Sequence, residues 1–330
     1  MKFSEEKSID VTGLGNALID LLVEADEALF ASTNLTKGNM YLVDEAEAKR
    51  LLAGLKDVKY RHTPGGATAN TIKAVAALGG EAVLFAKVGD DAHGSAYIEA
   101  IELHGVKTRI GKHSSTTGHA LTFITPDAQR TFSVHLGAAL MLGKEDIIEN
   151  DIAQSKVLHL EAFQLEGTTH DTVMHAIKLA KKHHTLISID LADSLLITRN
   201  IDVFKEIVAR DVDILFANEN EARAFTGKEG LDALEEMAGM VQIAVLKLGE
   251  HGSLISVNGT VTKIEPVTTT AVDTTGAGDT YAAGFLYGYT HGWDAERSGM
   301  LGSNLAAKVI EKIGVDILDI DIESVLKQVS

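Results

Sequence analysis

Residues 273–288 read DTTGAGDTYAAGFLYG. A run poor in side chains, Gly276-Ala277-Gly278, stands before small and apolar residues at helical spacing, with Asp279 at the joint. Glycine leaves backbone N–H groups unobstructed. A helix starting there has unpaired first amides and a positive dipole end. Together these make an anion site suited to a phosphate. Asp279, in the first turn, can accept a proton from an attacking hydroxyl while the amides hold the charge of the transferring group. The pattern predicts phosphoryl transfer, which needs positioning and electrostatics more than covalent chemistry. Taken alone, Gly-Ala-Gly-Asp fits equally an acid placed only to favour the helix dipole.

Outward from this stretch, short β runs alternate with longer helical runs. Ile9–Val11 leads into Gly13-Leu14-Gly15, and Ala82–Val88, Lys156–Leu160, Thr185–Leu191, Val212–Ala217 and Ile243–Leu248 read as buried strands. Thr71–Leu78, Tyr97–His104, His170–His183, Glu219–Phe225, Gly278–Tyr289 and Ser303–Ile313 read as helices. Such alternation implies βαβ units and a mostly parallel sheet. Two stretches break the rhythm. Leu21–Glu24 and Met40–Val43 are short β-like segments, and Ala120–Thr125 and Arg130–Leu136 flank a Pro126-containing turn. In that hairpin Leu121 and Phe123 share one face, as do Phe132, Val134 and Leu136 on the returning arm. Both stretches read as one small projecting β unit.

Bulk composition narrows the function. The chain has 330 residues, 45% of them hydrophobic and only 5% aromatic, which suits helices packed on a parallel sheet. Net charge is −17, which disfavours nucleic acid and means that an anionic substrate needs local positive help. There is no cysteine, so disulfide and thiol chemistry are excluded. The opening MKFSEEKSIDVTGLGN lacks an apolar signal region, and no stretch is long enough to span a membrane; the expectation is a cytoplasmic protein without membrane partners. The 13 histidines are dispersed and no H-E-x-x-H occurs, so they read as solvated or satisfied side chains. No P-loop is present. Gly13-Leu14-Gly15-Asn16-Ala17-Leu18 starts like a dinucleotide fingerprint, but Leu18 replaces its third small residue.

The longer string Asp273-Thr274 … Gly276-Ala277-Gly278-Asp279 … Phe285 resembles the C-terminal signature of the ribokinase-like (PfkB) carbohydrate and nucleoside kinases. Gly65-Gly66-Ala67-Thr68-Ala69-Asn70, followed by GGEAVLFAKVGDDAHG, resembles that family's N-terminal signature, and Asn218-Glu219-Asn220-Glu221 its Asn-x-x-Glu motif. The resemblance covers nearly the whole chain. It implies a Rossmann-like αβα sandwich with a small discontinuous β lid: core residues 1–19, 46–114 and 138–330, lid residues 20–45 and 115–137. It implies Asp279 as base, Gly276, Ala277 and Gly278 as anion hole, and Arg130 as a lid cation reaching the transferring phosphate. ATP would lie against Asn218, Glu221, Lys247, Gly249, Gly252, Thr275 and Asn304. Glu221 would order Mg²⁺ through water, as hard cations permit. Asp273 and Thr275 resemble a monovalent-cation site, for K⁺, found in some members.

Among branches, GNALIDLLVEADEALF and GGATAN look most like the adenosine kinases. That likeness assigns Asp20 to the acceptor's hydroxyls, since a carboxylate accepts from vicinal hydroxyls. It gives Gly65 and Gly66 a close approach and a hinge, and Asn70 a ribose hydroxyl. Asn16 and Leu18 would meet the purine, with Met40 and Phe163 lining the same slot, although both also suit an ordinary core. The implied reaction is phosphorylation of adenosine to AMP. Another nucleoside, or ribose, fructose or 2-keto-3-deoxygluconate, stays open as acceptor, as does a non-catalytic binding protein. Monomer and homodimer both fit.

Overall fold

In the computed structural model, residues 7–56, 58–127, 129–315 and 317–329 are described, with only the backbone of Met40 and Arg130. The strands in chain order are β1 (Ile9–Leu14), β2 (Leu18–Glu24), β3 (Met40–Leu42), β4 (Tyr60–Gly65), β5 (Ala82–Gly89), β6 (Lys107–His113) and β7 (Gly118–Ile124). They continue as β8 (Arg130–His135), β9 (Ser155–Glu161), β10 (Leu186–Asp190), β11 (Ile214–Asn218), β12 (Ile243–Lys247), β13 (Ser253–Val257) and β14 (Thr260–Ile264).

Nine of them form one sheet in the order β14-β13-β12-β11-β10-β9-β1-β5-β6. Pairing is parallel from β12 through β6 and antiparallel only along β12-β13-β14. Side chains alternate between two helix-covered cores, as the pleat requires. Leu84, Ala86 and Phe216 meet Ile72, Phe285 and Leu305 on one face. Phe85, Leu160 and Leu215 meet Val173, Ile177 and Phe225 on the other. Strands covered on both faces read as continuous apolar runs, and every residue of β1 and β5 is buried.

The helix Ala277–Thr290 packs against both Ala67–Ala77 and Ala295–Val309. It approaches the latter closely enough that a Cβ on Gly284 would stand 2.7 Å from the Gly302 backbone. Beyond its far end Trp293 lies edge-on to Tyr287, with the Arg297 guanidinium 3.7 Å above its ring.

The other five strands form a smaller sheet, β3-β8-β7-β2-β4. Its β2 alternates cleanly, with Ile19, Leu21 and Val23 buried and Leu18, Asp20 and Leu22 half-buried. One reading of this unit needs correcting. The strand Tyr60–Gly65 joins it from a stretch that the family resemblance places in the core; YRHTPG is polar, carries a proline and sits at a sheet edge, so it shows no apolar alternation. In the hairpin Leu121 and Phe123 share a buried face; on the returning arm Phe132 and Val134 share a face as the alternation predicts, and Thr131, Ser133 and His135 are the buried set. The turn sets a register that pairs Phe123 with Thr131 and Leu121 with Ser133. The Thr131 hydroxyl is satisfied there by the Gly38 N–H at 3.0 Å. The last long helix starts at Ala295 instead of Ser303, because Asp294 caps it by accepting the Arg297 N–H.

Candidate active site

The site is built at the carboxyl ends of parallel strands, where open α/β sheets present ligands. Four neighbouring strands each end on a polar residue: Glu161 on β9, Asp190 on β10, Asn218 on β11 and Lys247 on β12. Register places Glu161 beside Asp190 and Asn218 beside Lys247. The Lys247 ammonium lies 2.6 Å from the Asp190 carboxylate. Burial would pull that ammonium down, but Asp190, Glu221 and Asp279 reverse the effect and hold its pKa above the ordinary value.

Asn218 opens the helix Glu219–Thr226 with a capping box. Its side chain accepts the Glu221 N–H at 2.9 Å, while Glu221 accepts from the Asn218 backbone at 2.7 Å and from its Nδ2 at 2.6 Å. Burial, then the Asp190 charge, push the Glu221 carboxyl up to about 7, against the pull of Lys247 and the Asn218 N–H.

The helix start at Gly276 has the form its sequence predicts. The helix Ala277–Thr290 starts after Gly276 in the left-handed region, φ +74, and no side chain caps it. A Cβ at Gly276 would strike Val315, and one at Gly278 would stand 3.0 Å from the Lys247 ammonium. The uncapped amides therefore sit beside a fixed cation. Asp273 braces the turn, accepting the Thr275 N–H and hydroxyl on one oxygen and the Gly314 N–H on the other. Asp279 is half-buried, and its Oδ2 accepts from Asn70 Nδ2 at 2.9 Å. The Thr71 hydroxyl donates to the Asp279 carbonyl at 3.1 Å, joining the two helices at this point. Burial pushes the Asp279 carboxyl up to about 7; Asn70 and Lys247 pull it down, Asp190 and Glu161 push it further.

Between the two sheets, Asp20 on β2 lies against Gly65 at the end of β4. Burial pushes its carboxyl up to about 6, with Lys73 opposing and Asp273 adding. Asn16, in the link from β1 to β2, donates from Nδ2 to Glu161 at 2.9 Å. Asn70 is buried, and its Oδ1 has no hydrogen-bond partner among the described residues. Leu18 is half-buried over Gly118, and Phe163 is 39% exposed in the turn following Glu161. Gly249 and Gly252 form the tight turn after β12. Asn304 is set apart from these contacts: its amide donates to the Met300 carbonyl of its own helix. Roles expected of the Met40 and Arg130 side chains lie outside the described residues; their backbones belong to β3 and β8.

Glu161 and Asp190 are residues that the motifs do not contain. A signal for both exists, since HLE and SID are apolar strand runs that end on an acid at the sheet edge where ligands bind. Among the described residues no three metal-binding side chains converge, and no helix is long and apolar enough to cross a membrane.

Comparison with known proteins bears on the family and the fold. Residues 39–321 match the pfkB family carbohydrate kinase model. The crystal structure of adenosine kinase from Sinorhizobium meliloti is similar, with 32% identity, a TM-score of 0.86, and coverage of 98% of this chain and all of that one. A probable sugar kinase from Rhizobium etli CFN 42 is similar at 30% identity and a TM-score of 0.87, covering 98% of both chains. The 5-dehydro-2-deoxygluconokinase of Bacillus licheniformis is 27% identical over 94% of this chain and 92% of its own length. With its mostly parallel nine-stranded sheet, its second small sheet and its uncapped Gly-Ala-Gly-Asp helix, the chain belongs to the pfkB family of carbohydrate kinases.

Proposed function

We propose that the protein transfers the γ-phosphoryl group of ATP to a primary hydroxyl of a ribosyl acceptor, and that the acceptor is adenosine, giving AMP. The observation that carries this reading is Asp279: a carboxyl near pKa 7, held by Asn70, at the mouth of an uncapped helix beside Lys247. A base needs a pKa near working pH and one oxygen free for the hydroxyl proton. Asn70 occupies Oδ2 and leaves Oδ1 to the acceptor.

The chain's residues divide the work. Asp20 accepts hydrogen bonds from the acceptor's vicinal hydroxyls, and the orphaned Asn70 Oδ1 takes a third. The Gly276–Gly278 turn and Lys247 hold the negative charge of the phosphoryl oxygens as it shifts. Asp279 takes the hydroxyl proton, and the small sheet, acting as a lid, excludes water that would otherwise compete. Mg²⁺ fits the charges present: Asp190, Glu221 and Asp279 face one ammonium, and Glu221 would hold the ion through water. When bound, it neutralises phosphate oxygens.

The adenosine kinase likeness at 32% identity supports the choice of acceptor. The gluconokinase likeness raises a second reading, a sugar acid. Against it, the acceptor side gathers the carboxylates Asp20, Glu161 and Asp279, and an acidic substrate would meet repulsion there. The test is ADP release from Mg-ATP, with K⁺ present, across adenosine, inosine, guanosine, ribose, fructose, 2-keto-3-deoxygluconate and 5-dehydro-2-deoxygluconate. Adenosine should lead by about tenfold or more in kcat/KM. A lead for either sugar acid overturns the acceptor but keeps the phosphoryl chemistry; no release above the acceptor-free rate overturns both.

A further inference from the structure

The main chain passes between the large and small sheets at four places. Two of them, the Gly15–Ala17 link from β1 to β2 and the Gly66 link from β4 into the helix Ala67–Ala77, meet at one buried carboxylate. Glu161 is 2% exposed and gives one oxygen to each link. Its Oε1 accepts from Asn16 Nδ2 at 2.9 Å and from the Asn16 backbone at 3.4 Å. Its Oε2 accepts from the Thr68 backbone at 3.0 Å and from the Thr68 hydroxyl at 3.4 Å. The links also touch directly, since a Cβ on Gly66, where φ is +98, would strike the Asn16 carbonyl oxygen. A third link has its own acid: Asp91 accepts from the Thr117 N–H at 2.8 Å and from its hydroxyl at 2.6 Å.

Neutralising the start of one helix would need only the Thr68 contacts. Splitting the carboxylate between two chain crossings does more, because it fixes one crossing relative to the other. Glu161 stands at the end of β9, among the buried interior strands, so the fixed point belongs to the large sheet. The same contacts orient Asn16, and the helix that begins at Ala67 carries Asn70 to Asp279. We propose that Glu161 is a positioning residue: it clasps two of the four crossings, sets the pivot of the small sheet, and thereby places the acceptor groups relative to Asp279. The acceptor part of this statement rests on the kinase reading above; the clasp itself does not.

The test uses the full chain and Glu161→Gln, whose amide nitrogen turns a donor toward donors. Hydrogen–deuterium exchange without ligand should quicken over residues 17–24 and 60–68 and stay unchanged over β10 and β11. With an active acceptor, its KM should rise about tenfold or more while the ATP KM holds within about twofold. Quickened exchange throughout β10 and β11, unchanged exchange everywhere, or equal rises in both KM values would each overturn the clasp. If Glu161→Gln does not fold, Glu161→Asp keeps the charge one methylene short and should show the same pattern more weakly. Silence of the wild type toward every acceptor would sink the kinase reading and leave the exchange result to judge the clasp.

Discussion

The two sides of the candidate site are made of different material. On the proposed phosphate side the groups are backbone amides at Gly276–Gly278, and the helix behind them is locked by its Gly284–Gly302 contact and by Asp273. On the proposed acceptor side they are side chains, Asp20, Asn16 and Asn70, carried by links and a small sheet whose strands come from two separate parts of the chain. Backbone groups are indifferent to which molecule brings the phosphate. Side chains can be exchanged one by one without disturbing the fold. The difference teaches why the reaction class follows from a short motif and the acceptor does not.

Three substitutions press on this contrast. The largest effect belongs to Asp279→Asn, where turnover should fall by about 10²–10⁴ with ATP affinity nearly intact, as read by single-turnover kinetics and ATP titration. Turnover within a few-fold of wild type would remove Asp279 from the base role and dissolve the division between sides. Next, Asp20→Ala should raise the acceptor KM by about 10²-fold and spare the ATP KM. A selective loss of ATP affinity would put Asp20 on the wrong side. The smallest is Lys247→Met, read in the pH profile of kcat/KM. In the proposed base role Asp279 works deprotonated, so activity should rise as pH climbs through its pKa of about 7. Lys247 favours the carboxylate, and its loss should move that acidic limb upward by about one unit. A downward or absent shift would mean that the ammonium does not act on Asp279.

The parallel sheet was legible because doubly covered strands such as AVLFAKV leave no polar phase to misread. The uncapped helix start was legible because its glycines and acid are contiguous. The rest depended on distance in the sequence. Nothing near Tyr60–Gly65 says that it pairs with Leu18–Val23, and pairing gives those polar residues their strand. Glu161 and Asp190 lie 29 positions apart and become neighbours only through register. In the hairpin, apolar alternation groups Phe132 with Val134, but only the register set by the turn shows that Thr131 and Ser133 meet Phe123 and Leu121. Asn218 and Glu221 were found as a motif, yet their capping box also explains them as helix starters, so the motif alone did not separate the two roles.

The chain's single tryptophan gives the molecule an unplanned optical property. Trp293 lies past the last turn of the helix that begins at the anion site, and fourteen residues of helix hold the indole about 20 Å from the chemistry. Clamped between Tyr287 and Arg297, it is a fixed lamp for the helix pair. Its emission should follow global unfolding and ignore the approach of an acceptor. The proposed lid closure needs a lamp elsewhere, and Tyr60, partly exposed on the edge strand of the small sheet, offers an aromatic position where a Tyr60→Trp indole would report it.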